Sequence, residues 1–173
     1  TVKGEATTPL GYVNFCHNYP ARCIAPKSVA KLVEMETRDW TFLNEVNKRV
    51  NDTIKPVTDE NQWGVIEQWD IPVDKGDCED YVLLKQKLLL EARWPREALL
   101  ITIVKDKSGV GHAVLVVTTD TGDYVLDNVR QVILPWYKTG YAFVKRQSPY
   151  EINVWLWLEE YPKYEVTASV NTK

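Results

Sequence analysis

The chain has 173 residues, of which 45% are hydrophobic and 26% are charged, and its formal net charge is −3 at pH 7. This length suits one domain with a substantial core, so we expect residues 1–173 to form a single domain. The slight negative charge argues against a nucleic-acid-binding protein, which would carry a basic surface stripe. No apolar run approaches the roughly 20 residues of a membrane span, so the chain is not expected to insert into a membrane.

The N-terminal segment, residues 1–27, contains three prolines and is predicted to be irregular. Within it, Cys16 and Cys23 lie seven residues apart in the stretch NFCHNYPARC. Two close cysteines in such a loop favour a small disulfide, which requires an oxidising compartment, although two unrelated free thiols are the alternative. If the disulfide forms, Cys78 is the unpaired thiol.

A first helical stretch is predicted from Ser28, a suitable N-cap, as far as Asn51, because apolar residues recur there at helical spacing. The tripeptide Thr37-Arg38-Asp39 is a candidate break that would divide this stretch into two helices. Residues 52–76 then form a long connection, which Trp63 and Trp69 are expected to tether to the core.

A second helix is predicted over residues 78–92. Asp77 can cap it, and Asp80 stands three residues later in the arrangement of a capping box. The dipeptide Trp94-Pro95 ends the helix. Its apolar face is supplied by Val82, Leu83, Leu84, Leu88 and Leu89.

The hydrophobic pattern changes after this helix to short β-rich runs. Residues 99–104, 112–117 and 124–129 are predicted as strands of an antiparallel meander, because turn sequences separate them. Residues 141–146 and 154–158 could add two more strands. Helices followed by a sheet predict an α+β fold.

The sequence KGDCEDY, residues 75–81, places Cys78 among three carboxylates. Negative neighbours raise the pKa of a thiol, whereas the unpaired N–H groups and the dipole of a helix N-terminus favour its anion. At the start of the predicted helix, Cys78 is therefore a candidate nucleophile. The alternative is a buried, inert cysteine.

His112 is the better candidate for a general base, since the other histidine, His17, lies in the cysteine-containing loop. A turn at Asp120-Thr121 would place His112 across the hairpin from roughly residue 129. Asp127 and Asn128 are then both near enough to orient the imidazole, as an acid or amide does in Cys–His enzymes. A register shift of one residue reverses the face, so the hairpin does not decide between them.

The local sequences GDCEDYVLLKQKLL, GHAVLVV and DYVLDNV, in this order and spacing, resemble the bacterial transglutaminase-like cysteine proteinases, the family of the LapG-type periplasmic proteases. The likeness extends from FCHNYPARC through DENQWGVIEQWD to LDNV, and it is closest to the alpha-proteobacterial branch of the family. It implies a papain-like or transglutaminase-like α+β core with the nucleophile at a helix start, packed on an antiparallel sheet.

The resemblance also implies a Cys–His–Asp triad, with Cys78 as nucleophile, His112 as general base and Asp127 as the acid that holds the imidazole. The backbone N–H of Cys78 would be an oxyanion donor, and the loop 59–70 could supply a second. LapG-type members bind calcium through acids around the nucleophile. The matching positions here are Asp77, Glu79 and Asp80.

Three carboxylates cannot complete a calcium site, which takes six to eight oxygens, so carbonyls, water or residues 59–62 would have to contribute. Helix capping explains Asp77 and Asp80 without any metal, and that is the alternative. No organic cofactor is expected.

The predicted activity is endopeptidase cleavage of a protein in the periplasm or at the cell surface. The family likeness suggests a surface adhesin as substrate and a membrane-bound, cyclic-di-GMP-controlled receptor as partner. A start at Thr1 fits a mature form whose targeting peptide has been removed. The alternatives are acyl transfer to an amine, as in a transglutaminase or amidase, and a non-catalytic domain that binds a peptide or a wall component.

Overall fold

The computed structural model describes residues 2–24, 31–57, 68–151 and 153–158, and within them a seven-stranded antiparallel sheet is packed against helices. The predicted α+β class is confirmed. The strand order is β1-β9-β8-β4-β5-β6-β7, and β2 and β3 form a separate short parallel pair. The strands are β1 (Gly4–Ala6), β2 (Lys55–Pro56), β3 (Lys75–Gly76), β4 (Leu99–Lys105), β5 (Gly111–Thr119), β6 (Gly122–Leu126), β7 (Leu134–Pro135), β8 (Ala142–Gln147) and β9 (Trp155–Trp157). The described α-helices are α1 (Leu10–Asn18), α2 (Thr37–Thr53) and α3 (Cys78–Glu91).

The predicted antiparallel meander is confirmed as β4, β5 and β6. Leu115 pairs with Leu126, which is the register expected from a turn at Asp120-Thr121. β6 ends at Leu126 rather than at residue 129, so Asp127 stands just beyond the strand. The strands predicted at 141–146 and 154–158 correspond to β8 and β9, and they lie on the other side of β4 from the hairpin.

The prediction that residues 1–27 are irregular is wrong. Pro9 stands directly before α1 and Pro20 begins a short 3₁₀ turn after it, so these prolines bound a helix instead of interrupting one. The helix forms because Tyr12 and Phe15 share a face that is buried in the core.

The predicted first helical stretch is correct only in its second half. The helix α2 begins at Thr37, where Glu36 and Asp39 form a capping box, so the predicted break is the helix start. Leu32 is exposed and Val33 makes an isolated bridge with Thr119, which shows why apolar residues recur there without a helix. Ser28 lies outside the described residues.

The helix α3 is confirmed almost as predicted, and it is buried on most of its surface because it packs against both α2 and β5. In the preceding connection, Trp69 is buried and packs edge-on against Tyr12, with ring centroids 6.0 Å apart. This is the tethering role predicted for it, and Trp63 lies outside the described residues. None of the described helices combines the length and the apolar character that a membrane crossing requires.

Candidate active site

Cys78 is the first residue of α3, and a capping box fixes that helix start. The Asp77 side chain accepts the N–H of Cys78 (2.7 Å), and the Asp80 side chain accepts the N–H of Asp77 (3.0 Å). The predicted capping is therefore confirmed. In this arrangement the Cys78 N–H, expected as an oxyanion donor, is engaged by Asp77. Of the loop 59–70, from which a second donor is expected, residues 59–67 lie outside the described residues.

The Cys78 thiol is buried and lies against a carboxylate. Its sulfur donates to Oε2 of Glu79 at 3.0 Å, and Glu79 is itself fully buried. Burial raises the pKa of Cys78 well above its ordinary value, and Glu79 and Asp77 raise it further, whereas the backbone N–H of Ala113 acts in the opposite direction. Burial, followed by the carboxylates, thus raises the pKa of Cys78, contrary to the expectation of a thiolate stabilised at the helix N-terminus.

His112, the second residue of β5, pairs with Asp127, the first residue after β6. The Nε2 atom of His112 lies 2.8 Å from Oδ1 of Asp127, so Nδ1 is the ring nitrogen that this contact leaves available. Ala113, whose N–H contacts the Cys78 sulfur, is the next residue along β5. The helix start thus lies against β5 at Ala113, the neighbour of His112 in the His112–Asp127 pair.

Asp127 is buried and is bound on both carboxylate oxygens. Oδ1 accepts the N–H of Val129 (3.1 Å) as well as His112, and Oδ2 accepts the hydroxyl of Tyr141 (2.5 Å). Burial alone would raise the pKa of Asp127, but the hydrogen bonds from His112 and Tyr141 hold it below its ordinary value. Of the two residues that the hairpin left open, Asp127 and not Asn128 meets the imidazole.

Tyr141 is a site residue that the sequence did not reveal. Its ring centroid lies 5.7 Å from that of His112, and its hydroxyl binds Asp127. Burial, and then the hydrogen bond to Asp127, raise the pKa of Tyr141, so it remains a donor at neutral pH. In the sequence it opens an ordinary strand, and no local motif signals a contact 14 residues away.

Replacing Tyr141 by phenylalanine should lower kcat/KM about 10-fold and lower the melting temperature by several degrees. The change removes one hydrogen bond to a buried carboxylate, typically worth about 1.5–3 kcal/mol, and leaves the ring packing intact. Steady-state cleavage of a peptide substrate measures this. Tyr137→Phe is the matched control, because Tyr137 belongs to the same segment and is exposed. Equal activities of the two variants would remove Tyr141 from the site.

The acidic group at the helix start has the composition of a cation site. Ligand atoms of Asp77, Cys78 and Glu79 all lie within 4.8 Å of one another. Oδ2 of Asp77 is buried and has no hydrogen-bond partner among the described residues. A buried carboxylate oxygen without a partner is costly, and a hard cation would satisfy it. Asp77 and Glu79 therefore fit calcium.

Asp80 has a different role in the structure. Its Oδ1 accepts the N–H of Asp70 (2.8 Å) and its Oδ2 accepts the N–H of Asp77, so both oxygens hold backbone groups. Asp70 in turn accepts the hydroxyl of Tyr19, which lies between the disulfide-bonded Cys16 and Cys23. The disulfide agrees with the sequence prediction. Asp59 and Glu60, the further candidate ligands, lie outside the described residues.

Comparison with known proteins agrees with this arrangement. The family model described as "Bacterial transglutaminase-like cysteine proteinase BTLCP" matches residues 2–163. No curated protein sequence matches significantly. Among solved structures, calcium-bound Legionella pneumophila LapG has a TM-score of 0.57 at 24% identity, covering 76% of this chain and 74% of that one. The EGTA-treated form of the same protein has a TM-score of 0.56 at 24% identity, covering 70% and 68%.

These structural matches show a shared transglutaminase-like fold, as the sequence predicted, and the family match covers nearly the whole chain. The chain belongs to the bacterial transglutaminase-like cysteine proteinases and is therefore a cysteine protease of the transglutaminase-like type.

Proposed function

We propose that this protease hydrolyses peptide bonds with a Cys78–His112–Asp127 triad. The observation that carries the proposal is the 2.8 Å contact between Nε2 of His112 and Oδ1 of Asp127. His112 directly precedes Ala113, whose backbone N–H contacts the Cys78 sulfur. An imidazole oriented by a carboxylate beside a cysteine at a helix start is the arrangement that nucleophilic catalysis by a thiol requires.

In the proposed reaction, His112 takes the thiol proton as the Cys78 sulfur attacks the carbonyl carbon of the substrate. The peptide C–N bond breaks, the proton passes from His112 to the leaving amine, and a thioester joins the sulfur to the acyl group. Water then attacks the thioester, with its proton passing through His112 to the sulfur. Asp127 stabilises the imidazolium in both steps, because it is held ionised.

Asp77 and Glu79 are the residues that we propose to hold calcium, with Asp80 fixing the helix start behind them. Support comes from Oδ2 of Asp77, which has no hydrogen-bond partner within the described part of the chain, from the full burial of Glu79, and from the calcium-bound structure of LapG. When bound, calcium supplies positive charge that offsets the carboxylates beside the thiol. Backbone carbonyls and water would complete its coordination.

The calcium proposal predicts heat of binding in isothermal titration of the chelator-treated protein, together with a raised melting temperature. Asp77→Asn and Glu79→Gln should each weaken binding at least 10-fold, because each removes a charge while keeping the side-chain shape. Glu36→Gln is the matched control, since Glu36 occupies at α2 the N-cap position that Asp77 occupies at α3. Wild-type protein that neither binds calcium nor gains thermal stability from it would exclude the site.

We further propose that the enzyme works in the periplasm on a protein of the cell surface, such as an adhesin, and that a membrane-bound, cyclic-di-GMP-controlled receptor regulates it. The Cys16–Cys23 disulfide supports an oxidising compartment. Cell fractionation, with the Cys16–Cys23 peptide detected by non-reducing mass spectrometry, tests the location. Recovery of the chain with its thiols reduced in the cytoplasmic fraction would contradict it.

The activity is tested by incubating the enzyme and a protein substrate with calcium and an amine donor. The masses of the products are then measured by mass spectrometry. Fragments whose summed mass exceeds the substrate by one water per cleavage indicate hydrolysis, and they should be absent with Cys78→Ala. A product that has gained the amine would indicate acyl transfer instead. Specific binding of the substrate without any product would indicate a non-catalytic domain.

A further inference from the structure

The N-terminal helix reaches the start of α3 through a chain of hydrogen bonds that the proposed triad does not use. Tyr19 directly follows α1, and its hydroxyl donates to Oδ1 of Asp70. The backbone N–H of Asp70 donates to Oδ1 of Asp80 (2.8 Å), and Oδ2 of Asp80 accepts the N–H of Asp77 (3.0 Å). Asp77 is the N-cap of α3 and accepts the N–H of Cys78 (2.7 Å). Consecutive hydrogen bonds therefore connect Tyr19 to the proposed nucleophile.

The middle of this chain is buried and closely packed. Only 1% of the surface of Asp80 is exposed. A Cβ atom on Gly76 would lie 2.8 Å from the Cβ of Asp80, so a glycine is needed for the carboxylate to stand where it does. Asp70 is also constrained, because its Oδ1 accepts the N–H of Ile71 (2.8 Å) as well as the Tyr19 hydroxyl. A displacement of Asp70 would thus be passed through Asp80 to the helix start.

The Cys16–Cys23 disulfide holds the other end of the chain. It closes residues 16–23, here called the disulfide loop, and Tyr19 lies in this loop. The ring of Tyr19 stacks on that of Phe15, with centroids 4.9 Å apart, and Phe15 is buried in the core. The disulfide and the stacking together fix the direction in which the Tyr19 hydroxyl points.

Two further contacts keep this part of the chain against the elements of the site. Arg22 of the disulfide loop donates to Oε1 of Gln86 on α3 (3.1 Å). Trp69, the neighbour of Asp70, packs so closely on α1 that a Cβ atom on Gly11 would lie 2.4 Å from its ring. The disulfide loop and α1 therefore contact both α3 and the segment that caps it.

We propose that Tyr19 is a positioning residue for the reaction: through Asp70 and Asp80 it fixes the helix start that carries Cys78, and the disulfide loop holds it in place. The inference rests on the proposed function of Cys78 as nucleophile. A hydroxyl that donates to a carboxylate makes a strong, directed hydrogen bond. A displacement of about 1 Å in a reacting group can lower a rate about 100-fold, so the order of this helix start matters for catalysis.

The test is amide hydrogen exchange followed by NMR, with Tyr19→Phe compared with the wild type in calcium-free protein. Loss of the hydroxyl should speed exchange of the Asp70 amide about 10-fold and that of the Asp77 amide about 3-fold, because Asp80 holds both N–H groups. The amide of Leu115, in the middle of β5, is the internal reference and should exchange at the wild-type rate.

Tyr12→Phe is the matched control. Tyr12 lies on α1, is buried, and accepts a hydrogen bond from Gln147 (3.0 Å) through its hydroxyl. Its replacement therefore removes a tyrosine hydroxyl from the same helix without touching Asp70. The melting temperature should fall at least as far as in Tyr19→Phe, whereas the Asp70 and Asp77 amides should exchange at wild-type rates.

Removal of the disulfide gives a second arm. The double variant Cys16→Ser/Cys23→Ser should also speed exchange of the Asp70 amide about 10-fold or more. Adding Tyr19→Phe to it should change the rate by less than about 3-fold, because both changes act through the same contact. Should the double variant not fold, Tyr19→Phe alone carries the test.

Steady-state kinetics give the catalytic readout. For Tyr19→Phe, kcat should fall about 3- to 10-fold while KM stays within about 2-fold of the wild type, since the nucleophile is displaced and substrate binding is not. Tyr12→Phe should retain both values. Wild-type exchange rates at Asp70 and Asp77 in Tyr19→Phe, or an unchanged kcat, would overturn the inference.

The exchange measurement needs no substrate, so it separates this inference from the proposed function. Wild-type protein without Cys78-dependent cleavage would reject the triad, and the exchange rates would still decide whether Tyr19 orders the helix start.

Discussion

Replacing His112 by alanine is expected to lower kcat/KM at least about 1,000-fold, which is the loss that follows removal of the base from a Cys–His or Ser–His enzyme. Cys78 has a raised pKa, so without a base very little of it is thiolate at neutral pH. The leaving amine would also lose its proton donor. Cleavage of a peptide substrate with saturating calcium measures the effect.

His17→Ala is the matched control for this prediction, because His17 is the other histidine and is exposed on α1. It should retain the wild-type rate. The kcat/KM of Asp127→Asn should lie between those of His17→Ala and His112→Ala, since an amide can still hold the imidazole but cannot stabilise its positive charge. Activity of His112→Ala within about 10-fold of the wild type would reject the proposed role of His112 as the general base.

Replacing Trp155 by alanine should destabilise the protein by about 3–5 kcal/mol, the usual cost of emptying a site that held a large aromatic side chain. Trp155 is completely buried on β9, and its ring meets Tyr12 of α1 edge-on at 5.6 Å. The side chain therefore joins the sheet to the N-terminal helix. Urea unfolding under non-reducing conditions, followed by circular dichroism, measures the free energy.

Trp136 is the matched control for this stability effect, since half of its surface is exposed. Trp136→Ala should cost about 1 kcal/mol or less. If the two variants unfold at the same urea concentration, Trp155 does not have the core role that its burial indicates. Because Cys78 and His112 are contributed by other elements, Trp155→Ala should retain cleavage under conditions where it is folded.

The sequence was most informative where local rules act alone. The capping residues Asp77 and Asp80 and the turn at Asp120-Thr121 each depend on near neighbours, and these features were predicted correctly. The sequence does not predict the helix α1, because the prolines at its two ends indicate irregular structure. Tyr12 of this helix accepts a hydrogen bond from Gln147, 135 residues later in the chain, and no local pattern predicts such a contact.

The residues of the candidate site were predictable where their immediate sequence context is distinctive. Cys78 and His112 stand in recognisable contexts, whereas the choice of Asp127 over Asn128 depends on the exact end of β6. Tyr141 reaches Asp127 from the position just before β8, and its local sequence does not differ from that of an ordinary strand residue. The raised pKa of Cys78 depends first on burial of the thiol and then on Glu79, a buried residue that the sequence presents as a surface acid.

The pairing of β5 with β6 has a consequence for the order in which the site assembles during folding. His112 and Asp127 are 15 residues apart and are joined by a tight hairpin, so their contact closes a short loop. The nucleophile comes together with them only when α3 docks on β5, across a longer stretch of chain. We therefore expect an early folding species to contain the base and its acid without the thiol, so that peptidase competence appears last. Pulsed alkylation of Cys78 during refolding tests this order. Protection of the Cys78 thiol should lag behind formation of the hairpin.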